Sequence, residues 1–199
     1  MAGLRFAAHV GRNIVPYAGR YAIWRKLRVM DKFEVLQAIG AGDFKHLNGS
    51  LEAHLRGTES VLKSWGSGEL LQVAALFHAA YGTAGFDENM VSLNQRQEIA
   101  RVIGAAEEAL VYLYCSCDRD FVFPQFGKTG EILFKDRFSG SLFVLDEANT
   151  KLFCELMVAN ELELVYASHA LKVKYGAELV ELFQRMDSFL SSEARSAYQ

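Results

Sequence analysis

The chain predicts an all-α fold with one small β-prone excursion near residues 119–145. Two observations carry this. Apolar residues recur at helical spacing through most of the 199 positions, and glycine or small polar residues punctuate the runs where helices would stop or start. Strand-like alternation is confined to one short region.

The elements follow in order. A first helix is predicted from about Tyr21 to Ile39, ending at the Gly40/Gly42 pair, because glycine suits a helix end. Asn48-Gly49-Ser50 supplies a turn and a cap. The next helix runs from Leu51 to about Trp65 and stops at Gly66. Leu70 to Tyr81 is nearly all apolar, which makes it a central helix, and Gly82 ends it. Residues 83–93 read as a loop, followed by helices at about Asn94–Ile103 and Ala105–Asp118. Glu131–Asp136 and Ser141–Leu145 flank Arg137-Phe138-Ser139-Gly140, the pattern of a hairpin. Helix returns at about Glu147–Ala170 and Gly176–Leu190, and the polar tail Ser191–Gln199 reads as frayed. The length suits a single domain spanning 1–199, with an N-terminal helical segment over 1–45 and C-terminal helices over 146–192.

Composition narrows the function. About half the residues are apolar, enough for a sizeable core. A net charge of −3 argues against a general nucleic-acid binder, which carries a basic face. No apolar run reaches the ~20 residues that span a bilayer, and the first residues lack the continuous apolar stretch of a secretory signal. Three cysteines, Cys115, Cys117 and Cys154, form no zinc-type pair and fit a reducing compartment, so a cytoplasmic location is expected. Gly127-Lys128-Thr129-Gly130 lacks the rest of a phosphate-binding loop and reads as a turn.

The candidate site is built from polar residues on apolar faces. His78 shares its helix face with Ala75, Ala74 and Leu71, so it is expected to point inward. His54 shares a face with Leu51 and Thr58, bordered by Leu55 and Leu62. On an uninterrupted helix Asp118 lies over Cys115, Tyr114 and Val111, and a buried carboxylate needs a cation or donors. A lone histidine on such a face is more often a hydrogen-bonded core group than a ligand, and a buried aspartate is often paired with an arginine, here Arg119 or Arg101. Together, two imidazoles and a carboxylate suit one divalent ion such as iron, zinc or manganese, with coordination positions left open for chemistry. Glu161, Glu107, His46 and His169 are candidates to complete the set. Tyr81, one turn past His78, is the candidate catalytic phenol or substrate contact, or else a core tyrosine.

The run H-L-R-G-T at 54–58, A-A-L-F-H-A-A-Y-G-T at 74–83 and C-S-C-D-R at 115–119 resembles the HD-domain superfamily. More closely, it is similar to an HD-like family of unknown function with a His-Ser-x-Tyr-Gly-Thr signature and a later Asp-Arg. The likeness covers about residues 46–120, with an echo in Ala159-Asn160-Glu161-Leu162-Glu163. It implies a helical metal-binding core in which His54, His78 and Asp118 are the ligands. The aspartate of the family's His-Asp doublet is here Ala79, so the resemblance implies one metal ion instead of two.

Three functions follow as expectations. The first is a metal-dependent enzyme with hydrolase-like Lewis-acid chemistry on a small molecule. The second is a mononuclear non-haem iron oxygenase, for which two histidines and one carboxylate are the usual ligands. The third is a non-catalytic helical module with a decayed HD site. A small-molecule substrate and a second copy of the chain are the expected partners.

Overall fold

A computed structural model describes residues 51–84 and 89–199, together with the backbone of 45–46 and 49–50. The helix expected at Tyr21–Ile39 lies outside the described residues. Two short strands, β1 (Lys45–His46) and β2 (Gly49–Ser50), pair antiparallel and lead into α1 (Leu51–Ser64). Next come α2 (Glu69–Phe77), α3 (Arg96–Ile103) and α4 (Ala105–Ser116). A four-residue helix, α5 (Arg119–Val122), precedes the hairpin of β3 (Ile132–Lys135) and β4 (Leu142–Leu145). The chain closes with α6 (Glu147–Ala167), α7 (His169–Met186) and α8 (Ser192–Tyr198). The fold is mostly α with a small β-hairpin, as the sequence predicts.

The core forms where α1, α2, α4 and α6 meet. Leu51, Leu55 and Leu62 of α1, Ala74 and Phe77 of α2, Val111 and Tyr114 of α4, and Phe153, Leu156 and Met157 of α6 are all buried there. Their mutual burial is the main stabilising term, since helical stability in proteins comes mostly from packing of an apolar face. α1 ends as predicted. Gly66 takes φ +70°, and the N–H of Ser67 bonds back to the Leu62 carbonyl at 3.1 Å, closing the helix end. In the hairpin, Ile132 pairs with Leu145 and Lys135 with Leu142. Asp136 caps its turn, accepting from Phe138 N at 2.7 Å and Ser139 N at 3.1 Å.

Four boundaries depart from expectation, each for a visible reason. α2 stops at Phe77 instead of Tyr81. The His78 ring donates from Nδ1 to the Ala75 carbonyl at 2.7 Å, the acceptor that Ala79 N–H would use in a continuing helix. α4 stops at Ser116, because Cys117 turns extended and bridges to Asp136 beside the hairpin. α7 begins at His169, capped by Ser168, whose Oγ accepts from Leu171 N at 3.3 Å. The tail is not frayed. Ser191 Oγ caps α8, accepting from Ala194 N at 3.1 Å, while Ser191 N donates to the buried Glu155 carboxylate at 3.1 Å.

Among the described residues no helix is long and apolar enough to cross a membrane. All three cysteines are buried and unlinked. Residues 127–130 form a turn on the approach to β3, as read from the sequence.

Candidate functional site

His54 and His78 meet in the core. The α1 apolar stripe carries His54 inward, 6% exposed, and the end of α2 carries His78 inward, 2% exposed. Their Nε2 atoms are 3.2 Å apart, with the rings edge to face at 80°. Each ring is anchored through its other nitrogen. His78 Nδ1 donates to the Ala75 carbonyl, and His54 Nδ1 donates to the Glu163 carboxylate of α6. These anchors fix the planes of both rings and bring their Nε2 atoms to one point.

Asn160, three residues before Glu163 on α6, brings its amide oxygen to the same point. Its Oδ1 is 3.0 Å from His54 Nε2. Its orientation follows from the neighbouring carboxylate, since Nδ2 donates to Glu161 Oε1 at 3.2 Å. Nε2 of both rings and Asn160 Oδ1 thus gather in one buried site.

The rest of the polar wall is an ion pair and a phenol. Arg119 donates from Nη1 to Glu161 Oε1 and from Nη2 to Tyr114 OH, each at 3.1 Å. Burial alone would lower the Arg119 guanidinium pKa, but Tyr114 and Glu161 hold it above its ordinary value, so it stays charged. Burial pushes the Tyr114 phenol well above its usual range, so it stays neutral. The Tyr114 ring stands edge to face with His78, 5.4 Å between centroids.

His54, His78, Tyr114, Arg119, Asn160 and Glu161 line a cavity of about 400 Å³. The lining from α6 and α7 is mostly aliphatic, with Leu164, Val165, Leu171, Leu179 and Leu182, and α7 also contributes Tyr175, Glu178 and Arg185.

Residues 35–119 match the model of a family described as a domain of unknown function, DUF6817. No curated protein and no solved structure matches the chain. The matched span includes His54 and His78 but stops short of Asn160 and Glu163.

The structure does not bring Asp118 to the histidines. Because α4 ends early, Asp118 caps α5, its Oδ1 accepting from Phe121 N at 3.2 Å. Its Oδ2 pairs with Lys135 Nζ at 2.8 Å, its side chain is 24% exposed, and it is not in the cavity wall. The carboxylate is held below its usual pKa chiefly by the Lys135 hydrogen bond.

Tyr81 is buried elsewhere in the core, also outside the cavity wall. Its hydroxyl donates to Glu108 Oε1 at 2.9 Å, and Arg96 grips the same carboxylate at 2.7 and 3.0 Å. This is a satisfied structural network. Glu161 lines the cavity, Glu107 packs against Gly104, and His169 is exposed. His46 falls in β1, and its side chain is outside the described residues.

Among the described residues, no three His, Cys, Asp or Glu side chains stand together as a metal cluster. Of the three residues expected as ligands, His54 and His78 stand together, while Asp118 pairs with Lys135. His54, His78 and the amide oxygen of Asn160 are the donors that converge. Sequence reasoning misses Asn160 as a donor and Glu163 as an anchor. Their i, i+3 spacing, which puts two polar residues on one face of a buried helix, is the signal that could have found them.

Proposed function

We propose that the protein is an HD-like, metal-dependent enzyme in which His54 and His78 hold one divalent ion, with Asn160 Oδ1 as a further donor, and that it acts on a small molecule in the adjoining cavity. The observation that carries this is the double anchoring of the imidazoles, which aims both Nε2 atoms at one point. The spacing supports it. Ligand atoms about 2.0–2.1 Å from a tetrahedral ion stand about 3.3 Å apart, and those of an octahedral ion about 2.9 Å. The separations here are 3.2 and 3.0 Å. A histidine whose far nitrogen is held by a carboxylate or carbonyl is the usual form of a metal-ligating histidine.

When bound, the ion would lower the pKa of a water molecule and polarise an ester, amide or phosphate oxygen. The chain's own residues do the rest. Glu163 and Ala75 fix the two rings. Arg119 and Glu161 keep a neutralised charge pair in the wall, so the wall favours a substrate without large net charge. The α6–α7 wall takes its apolar body and excludes water. Ala79 lines the cavity where the HD doublet has a carboxylate, which restricts the site to one ion. Three buried, unlinked cysteines support the cytoplasmic part of this reading.

Hydrolase-like Lewis-acid chemistry is the first reading. An iron oxygenase is the second, favoured by the apolar wall and by two histidines that leave most positions open. Metal analysis of the purified protein tests both. About one equivalent of ion is expected, absent in His78→Ala. Bound iron with oxygen-dependent turnover selects the oxygenase, and zinc or manganese with activity under anaerobic conditions selects the hydrolase. A protein that binds none of these ions, with a thermal midpoint indifferent to chelator, overturns both. It leaves a non-catalytic module whose histidines share a proton.

A further inference from the structure

We infer that Gly57 and Glu163 form one positioning device for His54, with Gly57 serving as the gap through which the Glu163 carboxylate reaches the imidazole. The inference deepens the metal reading above and rests on it for its affinity arm.

Gly57 sits in the middle of α1, one turn after His54, in the H-L-R-G-T run whose glycine has no other evident task. A mid-helix glycine costs roughly 0.5–1 kcal/mol relative to alanine, so its presence calls for a reason. It does not serve a turn, because α1 continues for seven more residues to Ser64. The reason is the neighbour. A Cβ built on Gly57 would stand 2.7 Å from both Cγ and Oε1 of Glu163, and 3.0 Å from its Cδ. The Glu163 side chain lies across α1 at the one position without a side chain, and from there its other oxygen takes the proton of His54 Nδ1.

That contact keeps a proton on His54 Nδ1 and fixes the plane of the ring. It leaves Nε2 facing His78 and Asn160. Glu163 is a positioning residue, acting on the site only through His54. Gly57 acts only through Glu163. The two positions are far apart in the chain and work as one unit.

The test uses Gly57→Ala, Glu163→Met and the double variant. The clashing atoms in Gly57→Ala belong to a flexible side chain that can swing aside, so the fold is retained. Both single variants are expected to bind Co(II) or Zn(II) about 10- to 100-fold more weakly. The double variant is expected to be no weaker than either single one, because both remove the same contact. Nitrogen-15 NMR of the metal-free protein, above the imidazole titration range, gives a second readout. The His54 Nδ1 is expected to carry a proton throughout in the native chain and only in part in both single variants. A packing role for Gly57 would move stability without moving that proton. Native Nδ1 protonation in Gly57→Ala, or additive losses in the double variant, overturns the inference. If the native chain binds neither ion, the metal reading fails, and the protonation result alone decides this one.

Discussion

Replacing Asp118 separates the geometry described here from the ligand set that its sequence position suggests. Asp118→Ala removes a helix cap, worth about 1 kcal/mol. It also removes a partly exposed ion pair with Lys135, worth about 0.5 kcal/mol after allowance for solvent screening. The loss is therefore about 1.5 kcal/mol, or roughly a 3–6 °C fall in thermal midpoint for a chain of this length. Asp118→Asn keeps the cap and loses only the charge, so it falls by about a third as much. The pH dependence has a definite sign. The folded carboxylate titrates below its unfolded value of about 3.9, so its contribution is fully present above that pH and disappears as pH falls through the folded value. Urea unfolding of the native protein and the Asp118→Asn variant across pH 2–7 should show a constant difference above about pH 5 that closes in acid. Metal affinity should be unchanged in both variants. A loss of metal binding in Asp118→Asn with normal stability would refute the reasoning, because the carboxylate would then have to reach the ion.

Tyr81→Phe should cost about 1 kcal/mol, the worth of one buried hydrogen bond, because Arg96 still satisfies Glu108. Denaturant unfolding measures this, and turnover by the folded protein should be unaffected, which a catalytic phenol would not allow. Ser191→Ala removes the α8 cap and one of two bonds to buried Glu155. A loss of about 1–2 kcal/mol is expected, with faster amide exchange confined at first to Ser192–Tyr198. A tail that exchanges fast already in the native chain would contradict its docking on α6.

Much of the fold is legible because it depends on local patterning. The stripe of Leu51, Leu55 and Leu62 sets α1 and turns His54 inward. The apolar run before His78 marks α2 as central. The hairpin follows from two β-prone runs around Ser139-Gly140. What escapes the sequence depends on distant contacts. Nothing local stops α4 at Ser116, since Cys115-Ser116-Cys117 contains no breaker. The stop comes from Cys117 pairing with Asp136, and the two residues it removes from the helix swing Asp118 to the surface. The ring of His78 ends its own helix by taking the Ala75 carbonyl, which no propensity anticipates. Glu163 and Asn160 lie more than a hundred residues from His54, and only packing of α1 on α6 brings them to it.

The most direct test of the central claim is a crystal structure of the protein soaked in Zn(II) or Co(II), with anomalous data at the metal edge. The account predicts one peak within about 2.0–2.2 Å of Nε2 of both His54 and His78, beside Asn160 Oδ1 and away from Asp118. A fully occupied ion bound elsewhere, or an imidazole pair that keeps its direct contact with no metal between, would contradict it.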